Sequence, residues 1–515
     1  MTKLEKNDQR ERALLKLRME IDSNIQRAIS AARECGHFDL LLLCYRLRIN
    51  RMEMTQAPYL EKLSDMELRE KHLTDEALKY AISLVAKHGN WHTCDGTLKD
   101  FDPGRVAGLL YLIKRINTKF ETNSIINTVN VRVIGERDQH FAIDYSSLME
   151  DPQQLMLLHY GIRVERFASN LKQGFLPVED LVHKLRCEYS GLSDHFSSEF
   201  GITLEGYCKG MLDLYRALFL RGKEAEAKLT FNEDGVAEHD TLTFITMATT
   251  MTFSHEELIT ILSPEFLRYL ETHSFDGDKF KESELRFHYL TRRPFLRSES
   301  YYIFSPELVY DSLQDNARYT LLEGDTSKHK VKEVRSNKFI DQISSIAAKF
   351  GYKEVDRDRY LKKGKFDIGD IDLTLYNQAT DHTLLVEGKN YTLPLDVYFR
   401  SPEAIQSHLK TTQDWEVKVL RRQEHLLLDK TIYPINGTWD YIIISQMPEP
   451  LAHSSKLLVL SIHEFEAWLN QSIRPTNFTK FFSTAYDSET FKISEDEMDR
   501  YMSENQMSFT PPPGD

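Results

Sequence analysis

At 515 residues, 41% hydrophobic and 28% charged, with 16 prolines and 22 glycines, the chain is too long for one small binding module. Its composition excludes global disorder and a collagen-like repeat. The net charge of −14 would argue against a nucleic-acid partner if it were spread evenly, but Lys328 to Lys430 holds nineteen basic and sixteen acidic residues, a surplus of +3 that leaves −17 for the rest.

No apolar run approaches the ~18–20 residues of a bilayer crossing, and the opening MTKLEKNDQRERALLKLR is too charged for a secretory signal. Five cysteines, at 35, 44, 94, 187 and 208, include no CxxC pair and suit reduced thiols. A cytoplasmic protein without membrane contact is expected.

In chain order, Asp8 to about Leu84 is helical, with Leu14, Leu17, Ile21, Ile25 and Ile29 on one stripe. β-like alternation interrupts at Ser124 to Gly135 and Gln139 to Tyr145, and helices resume over Asp151 to Leu171, Leu176 to Cys187 and Gly206 to Lys223. Ser263-Pro264-Glu265, Ser305-Pro306-Glu307 and Ser401-Pro402-Glu403 each combine an N-cap serine, a proline suited to the first helical position and an acid facing the positive end of the helix dipole. The charge-rich run Glu323 to Lys338 marks the main boundary. The expected organisation is multidomain: a mostly α-helical region over 1–322, an α/β domain with a central mixed sheet flanked by helices over 323–480, and a loose tail over 481–515 that ends in three prolines, a glycine and an aspartate. The helical region is read as serving recognition, regulation or oligomerisation, through a second copy or a partner protein.

Beyond the boundary, Phe339, Ile343, Ile346 and Phe350 mark a helix that stops at Gly351. Strands follow over Tyr352 to Tyr360, Ile368 to Tyr376 and Thr383 to Tyr391. A helical region then runs from Pro402 to Asp429 with a candidate break near Thr411. Two further strands, Trp439 to Ser445 and Lys456 to Leu460, precede a helix introduced by the capping box Ser461 to Glu464.

In that order the acids fall where strands aim them together. Asp370 and Asp372 are two apart and project from one face, while Ile371 and Leu373 point the other way. Glu387 and Lys389 repeat the pattern on the next strand. Fourteen residues separate Asp372 from Glu387, enough for the rest of one strand, a turn at Asn377 to His382 and the start of an antiparallel neighbour. Two carboxylates held close repel unless a proton or a cation lies between them, and hard oxygen ligands favour Mg²⁺ or Mn²⁺. Such a cation polarises a phosphoryl oxygen and lowers the pKa of a water. The Lys389 ammonium would orient that water or offset the charge that builds in the transition state, and Gly388 would offer its carbonyl to the metal. The chemistry indicated is hydrolysis of a phosphodiester.

Gly369-Asp370-Ile371-Asp372-Leu373 followed by Leu385-Val386-Glu387-Gly388-Lys389-Asn390 resembles the signature of the PD-(D/E)xK nucleases, the restriction-endonuclease-like superfamily, over about Lys332 to Leu469. The resemblance implies that Asp372 and Glu387 bind metal, that Glu387 and Lys389 form the ExK pair, and that DNA is the substrate ahead of RNA. It also implies a prokaryotic restriction or anti-phage role. The motif's proline is absent, with Gly369-Asp370-Ile371 in its place. Asp341 stands where members often carry a helix glutamate, and Gln406, Gln413 and Lys418 are candidates for the glutamine or lysine many members place on the helix after ExK.

Other signals are weaker. Lys362, Lys363 and Lys365 precede the acidic strand and could touch a substrate backbone, while Arg292 and Arg293 sit in an aromatic-basic run from Leu285 to Tyr302 that reads first as an amphipathic strand pair with its aromatics in the core. Asp276-Gly277-Asp278 reads as a turn. No GxxxxGK[ST] occurs, so no nucleotide cofactor is expected. The alternative to an enzyme is a non-catalytic nucleic-acid-binding or helical interaction protein with a degenerate nuclease fold.

Overall fold

The structure, a computed structural model, describes residues 3–55, 65–92, 102–128, 132–136, 140–144, 160–161, 163–164, 177–228, 241–280, 282–286, 289–323, 328–390, 393–394, 397 and 402–486. It is mostly helical with a five-stranded mixed sheet towards the C-terminus. Among the described residues no helix is long and apolar enough to cross a membrane. The chain divides into two compact units. One joins Met1–Arg18 and Phe120–Lys172 to Arg335–Asp515; the other is Met19–Lys119 with Gln173–Val334.

In the helical unit, Val178–Tyr189 and Leu204–Glu226 pack with Pro264–Thr272 around Tyr207, Phe266 and Tyr269. The serine cap of Ser263 is present, donated to by Phe266 N. The aromatic-basic run follows the short helix Glu282–Leu285 and forms another, Tyr289–Arg292, before the short strands Leu296–Arg297 and Tyr301–Ile303. The strand pair expected across the whole run is therefore confined to its end, and Phe295, Tyr301 and Tyr302 are buried core. Asp276 caps a single turn, accepting from Asp278 N at 3.3 Å. Cys35, Cys44 and Cys208 are buried free thiols and Cys187 is exposed; Cys94 lies outside the described residues.

The other unit is built on the sheet. Its elements are α1 (Lys328–Ala348), β1 (Lys353–Lys363), β2 (Phe366–Asn377), β3 (His382–Lys389), α2 (Pro402–Leu428), β4 (Thr438–Ser445), β5 (Leu458–Ser461), α3 (Ile462–Leu469) and α4 (Phe478–Ala485). The division between the units falls inside α1. Helix α1 begins within the charged run read as a boundary: Val331, Phe339, Ile340, Ile343 and Ala347 supply a buried stripe that polar composition concealed. Strand order is β5-β4-β3-β2-β1. β1–β2 and β2–β3 are antiparallel hairpin pairs, whereas β3–β4 and β4–β5 are parallel. A parallel neighbour needs a crossover, which α2 provides between β3 and β4. Helix α2 is continuous through Thr411, whose hydroxyl donates to Ser407 O at 3.2 Å, as Thr412 does to His408 O at 3.1 Å. The Ser461–Glu464 capping box is formed, while Ser401 lies outside the described residues.

Two parts of the expected helical block belong with this sheet. Of Asp151 to Leu171, the helical pairs 160–161 and 163–164 are described and the rest lies outside the described residues. Arg163, fully buried, donates to Glu464 Oε1 and Oε2 at 2.7 and 2.8 Å and to the Glu449 carbonyl at 3.1 Å, with Phe478 beneath its guanidinium. Helix α4 also crosses the expected start of the tail at 481, because Phe478, Phe481 and Phe482 are buried in the sheet unit's core; residues 487–515 lie outside the described residues.

Candidate active site

The β2–β3 hairpin brings the acids together. Leu373 pairs with Val386, so the next step of the antiparallel register sets Asp372 against Glu387 on one face. Ile371, Leu373 and Val386 are fully buried, and this row of apolar side chains fixes the register. Asp372 Oδ2 accepts from Gly388 N at 2.7 Å, and Lys389 Nζ donates to Glu387 Oε1 at 2.5 Å. The Lys389 ammonium lies 5.8 Å from the centre of the Trp415 ring.

Glycine is required twice here. A Cβ on Gly388 would stand 2.5 Å from Ile340 Cδ1 of α1. Gly369 has φ +116° at the β1–β2 register shift, and a Cβ there would meet Arg422 Nε at 2.8 Å.

Arg422 is the residue missed at the level of sequence. Its Nη1 donates to Glu387 Oε2 and, at 2.9 Å, to the Tyr441 hydroxyl. Glu387 and Arg422 are 4% and 5% exposed. Burial would by itself favour the neutral guanidine, but Tyr441 and Glu387 outweigh it and raise the Arg422 pKa. A signal existed: Ile405, His408, Thr412, Val419 and Leu426 form the buried stripe of α2, and Arg422 falls in that stripe at helical spacing.

Asp372 is the strained group electrostatically. Burial, then the Glu387 charge, pushes its carboxyl up to about 7, against the opposing pull of Lys389 and the Gly388 N–H. Asp370 adds a smaller push in the same direction from its exposed position.

The other sequence candidates are placed as follows. Asp341 sits on the exposed side of α1, where Arg357 Nη1 donates to it at 2.7 Å, so it does not join the trio as the helix acid. Gln406, Gln413 and Lys418 are exposed on α2, the two glutamines opposite in phase to Arg422 and Lys418 one turn before it, and the helix reaches Glu387 through Arg422 instead. Lys362, Lys363 and Lys365 are exposed at the β1–β2 hairpin tip, with Lys363 3.3 Å from Asp429. Arg292 and Arg293 belong to the helical unit, in a short helix and the turn after it.

Among the described residues no group of three or more His, Cys, Asp or Glu forms a metal cluster. The donor set at the hairpin is two carboxylates and a backbone carbonyl. Asp372 Oδ1 accepts no hydrogen bond among the described residues, and its raised pKa is the mark of a carboxylate that a divalent cation would ionise. Asp372, Glu387 and the Gly388 carbonyl therefore fit a hard cation, with Glu387 shared between it, Lys389 and Arg422. No protein-family model, no curated protein and no solved structure matches the chain.

Proposed function

We propose that the chain is a metal-dependent nuclease with a restriction-endonuclease-like catalytic unit, acting on nucleic acid and on DNA ahead of RNA. The observation that carries this reading is the convergence of Asp372, Glu387 and Lys389 at one end of the β2–β3 hairpin. In hydrolysis a water oxygen bonds to phosphorus, the bond from phosphorus to the leaving sugar oxygen breaks, and that oxygen takes up a proton. Mg²⁺ bound at Asp372 and Glu387 would supply charge neutralisation and a more acidic water. Lys389, held by Glu387 and seated on Trp415, presents its ammonium to the attacking water and the scissile phosphate. Arg422, held by Tyr441, keeps the Glu387 carboxylate in place from beneath. A role in restriction or anti-phage defence rests on the motif likeness alone.

A second reading, a nucleic-acid-binding module that does not cut, has one observation in its favour. Both Glu387 oxygens are taken by cationic side chains, so two acids and two bases balance without a metal. The test incubates the full chain with plasmid, linear DNA and RNA, in Mg²⁺ or in EDTA, beside Glu387→Gln and Lys389→Ala. Cleavage that needs Mg²⁺ and is lost in both variants supports the enzyme. Binding without cleavage in all three proteins overturns it in favour of the module.

A further inference from the structure

We infer that the outer face of the C-terminal half of α2 is a docking surface for a second copy of this chain, the two helices lying antiparallel about a two-fold axis between Arg421 and Glu424. The inference goes beyond the nuclease reading and does not depend on it. The motivating feature is apolar surface where a helix facing water would carry polar groups. Val417, Leu427 and Leu428 are 62%, 63% and 75% exposed, and Phe366, beside the same turns, is 57% exposed.

Spacing gathers these side chains along one line. Val417, Arg421, Glu424 and Leu428 follow one another at intervals of four, three and four residues, the spacing that keeps a single seam turned towards a neighbouring helix. All four are exposed, and the seam is about 16 Å long at ~1.5 Å per residue. It runs on the side of α2 opposite the buried His408, Thr412, Val419 and Leu426. Phe366 widens it on one flank, with the Arg421 guanidinium 5.5 Å from its ring centre and the His425 ring 6.2 Å away. Arg421 Nη2 donates to the Asp367 carbonyl at 2.6 Å, which anchors the side chain and leaves its other N–H groups for a carboxylate. Glu424 has no cationic partner among the described residues.

The order of the four residues selects the occupant. Turned end to end about its midpoint, the series apolar, basic, acidic, apolar becomes apolar, acidic, basic, apolar. Val417 therefore meets Leu428 of the second copy and Arg421 meets its Glu424, and the two-fold axis repeats both contacts. Beside the seam, the stem of Lys418 falls on the second copy's Leu427. A parallel pair would set Arg421 against Arg421 and Glu424 against Glu424, so charge fixes the antiparallel arrangement. A purely apolar partner would cover Arg421 and Glu424 without pairing them. Arg422 leaves the same turns on the other side to reach Glu387, so the contact braces the helix that holds that carboxylate. One short helix pair with Phe366 at its side is small against the ~1,200–2,000 Å² of a standard interface, and a reversible dimer of micromolar strength is expected.

The test is sedimentation velocity of the full chain in EDTA from about 1 to 100 µM, the range of dissociation constants small interfaces reach. The parent chain should dimerise with rising concentration. Val417→Asp/Leu428→Asp should raise the dissociation constant at least about a hundredfold. Arg421→Glu and Glu424→Arg should each raise it about tenfold or more by setting like charges together. The decisive arm mixes those two single variants. One crossing then carries a reversed ion pair and the other the original one, so a heterodimer of near-parent affinity should form, as should a homodimer of Arg421→Glu/Glu424→Arg. Thermal melts check that these exposed substitutions leave the fold intact. A parent chain that stays monomeric over the whole range would overturn the inference and leave the face to a different partner. So would a dimer that Val417→Asp/Leu428→Asp leaves intact, or charge reversals that leave the dimer unchanged or that mixing does not rescue.

Discussion

Replacing Asp372 with asparagine should stabilise the protein above neutral pH while abolishing metal-dependent cleavage. The Asp372 carboxyl is pushed up to about 7 by burial and by Glu387, against about 3.9 in an unfolded chain. An acid whose native pKa lies above its unfolded value holds its proton more tightly when folded. Below about pH 4 both states are protonated and the group has no effect. Between about 4 and 7 the unfolded state ionises first, so native stability falls as pH rises, and above 7 the full penalty is present. At about 1.4 kcal/mol per pH unit the difference is about 4 kcal/mol, which partial solvent screening of this carboxyl reduces to roughly 2–4 kcal/mol. The amide of the Asp372→Asn variant keeps an oxygen for the Gly388 N–H and carries no charge. Urea unfolding in EDTA, followed by tryptophan fluorescence, reads mainly the relevant unit, because three of the four tryptophans, Trp415, Trp439 and Trp468, belong to it and Trp91 to the helical unit. The variant should exceed the parent by that amount at pH 8 and match it at pH 4. Mg²⁺ at pH 8 should raise the parent and leave the variant unmoved. Equal stability of the two proteins at pH 8 in EDTA would refute the electrostatic reading of Asp372, and an equal response of both to Mg²⁺ would refute the expectation that a cation sits there.

Arg422→Leu removes one of the two cations held by the buried Glu387 carboxylate, leaving Lys389 on the other oxygen, and is expected to cost about 1.5–3 kcal/mol in urea unfolding, whereas Tyr441→Phe, which removes one hydrogen bond, should cost about 1 kcal/mol. Arg163→Ala leaves Glu464 buried without its bidentate partner, with an expected loss of about 3–5 kcal/mol; a chain truncated to begin at Lys328 should show the same defect as an early, broad melt. Gly388→Ala drives a methyl towards Ile340 Cδ1 and should cost about 1–3 kcal/mol, part of which Gly388→Ala/Ile340→Val recovers because valine lacks that atom; additive losses in the double variant would show the clash to be elsewhere. Lys389→Ala should lower the cleavage rate by at least about a hundredfold, as read from plasmid nicking, and, because it removes a charged partner of the buried Glu387, should also cost about 1–3 kcal/mol by calorimetry.

What the sequence determined by itself was local. The alternation of Ile371 and Leu373 with Asp370 and Asp372, the short connection to Glu387 and Lys389, and the Ser461–Glu464 cap all act within a few residues or one hairpin, and the structure shows each of them. Two-residue spacing decides which side of a strand a group takes whatever surrounds it. Only the tertiary structure decided what meets those groups from a distance. Arg422 reaches Glu387 across 35 residues of chain and Arg163 reaches Glu464 across 301, and no period or local motif encodes such pairings. Composition also hid a helix that carries polar residues on its outer face and a thin apolar stripe within, as in α1, whose charged first turns read as a domain boundary, and the division between the units falls within them. Asp341 shows the converse: its position in sequence suited a ligand, but the packing of Phe339, Ile340 and Ile343 against the sheet turned it outward to Arg357. The apolar stripe tells which face of a helix is buried, but which polar groups meet the residues beside that stripe depends on neighbours brought together only once the chain has folded.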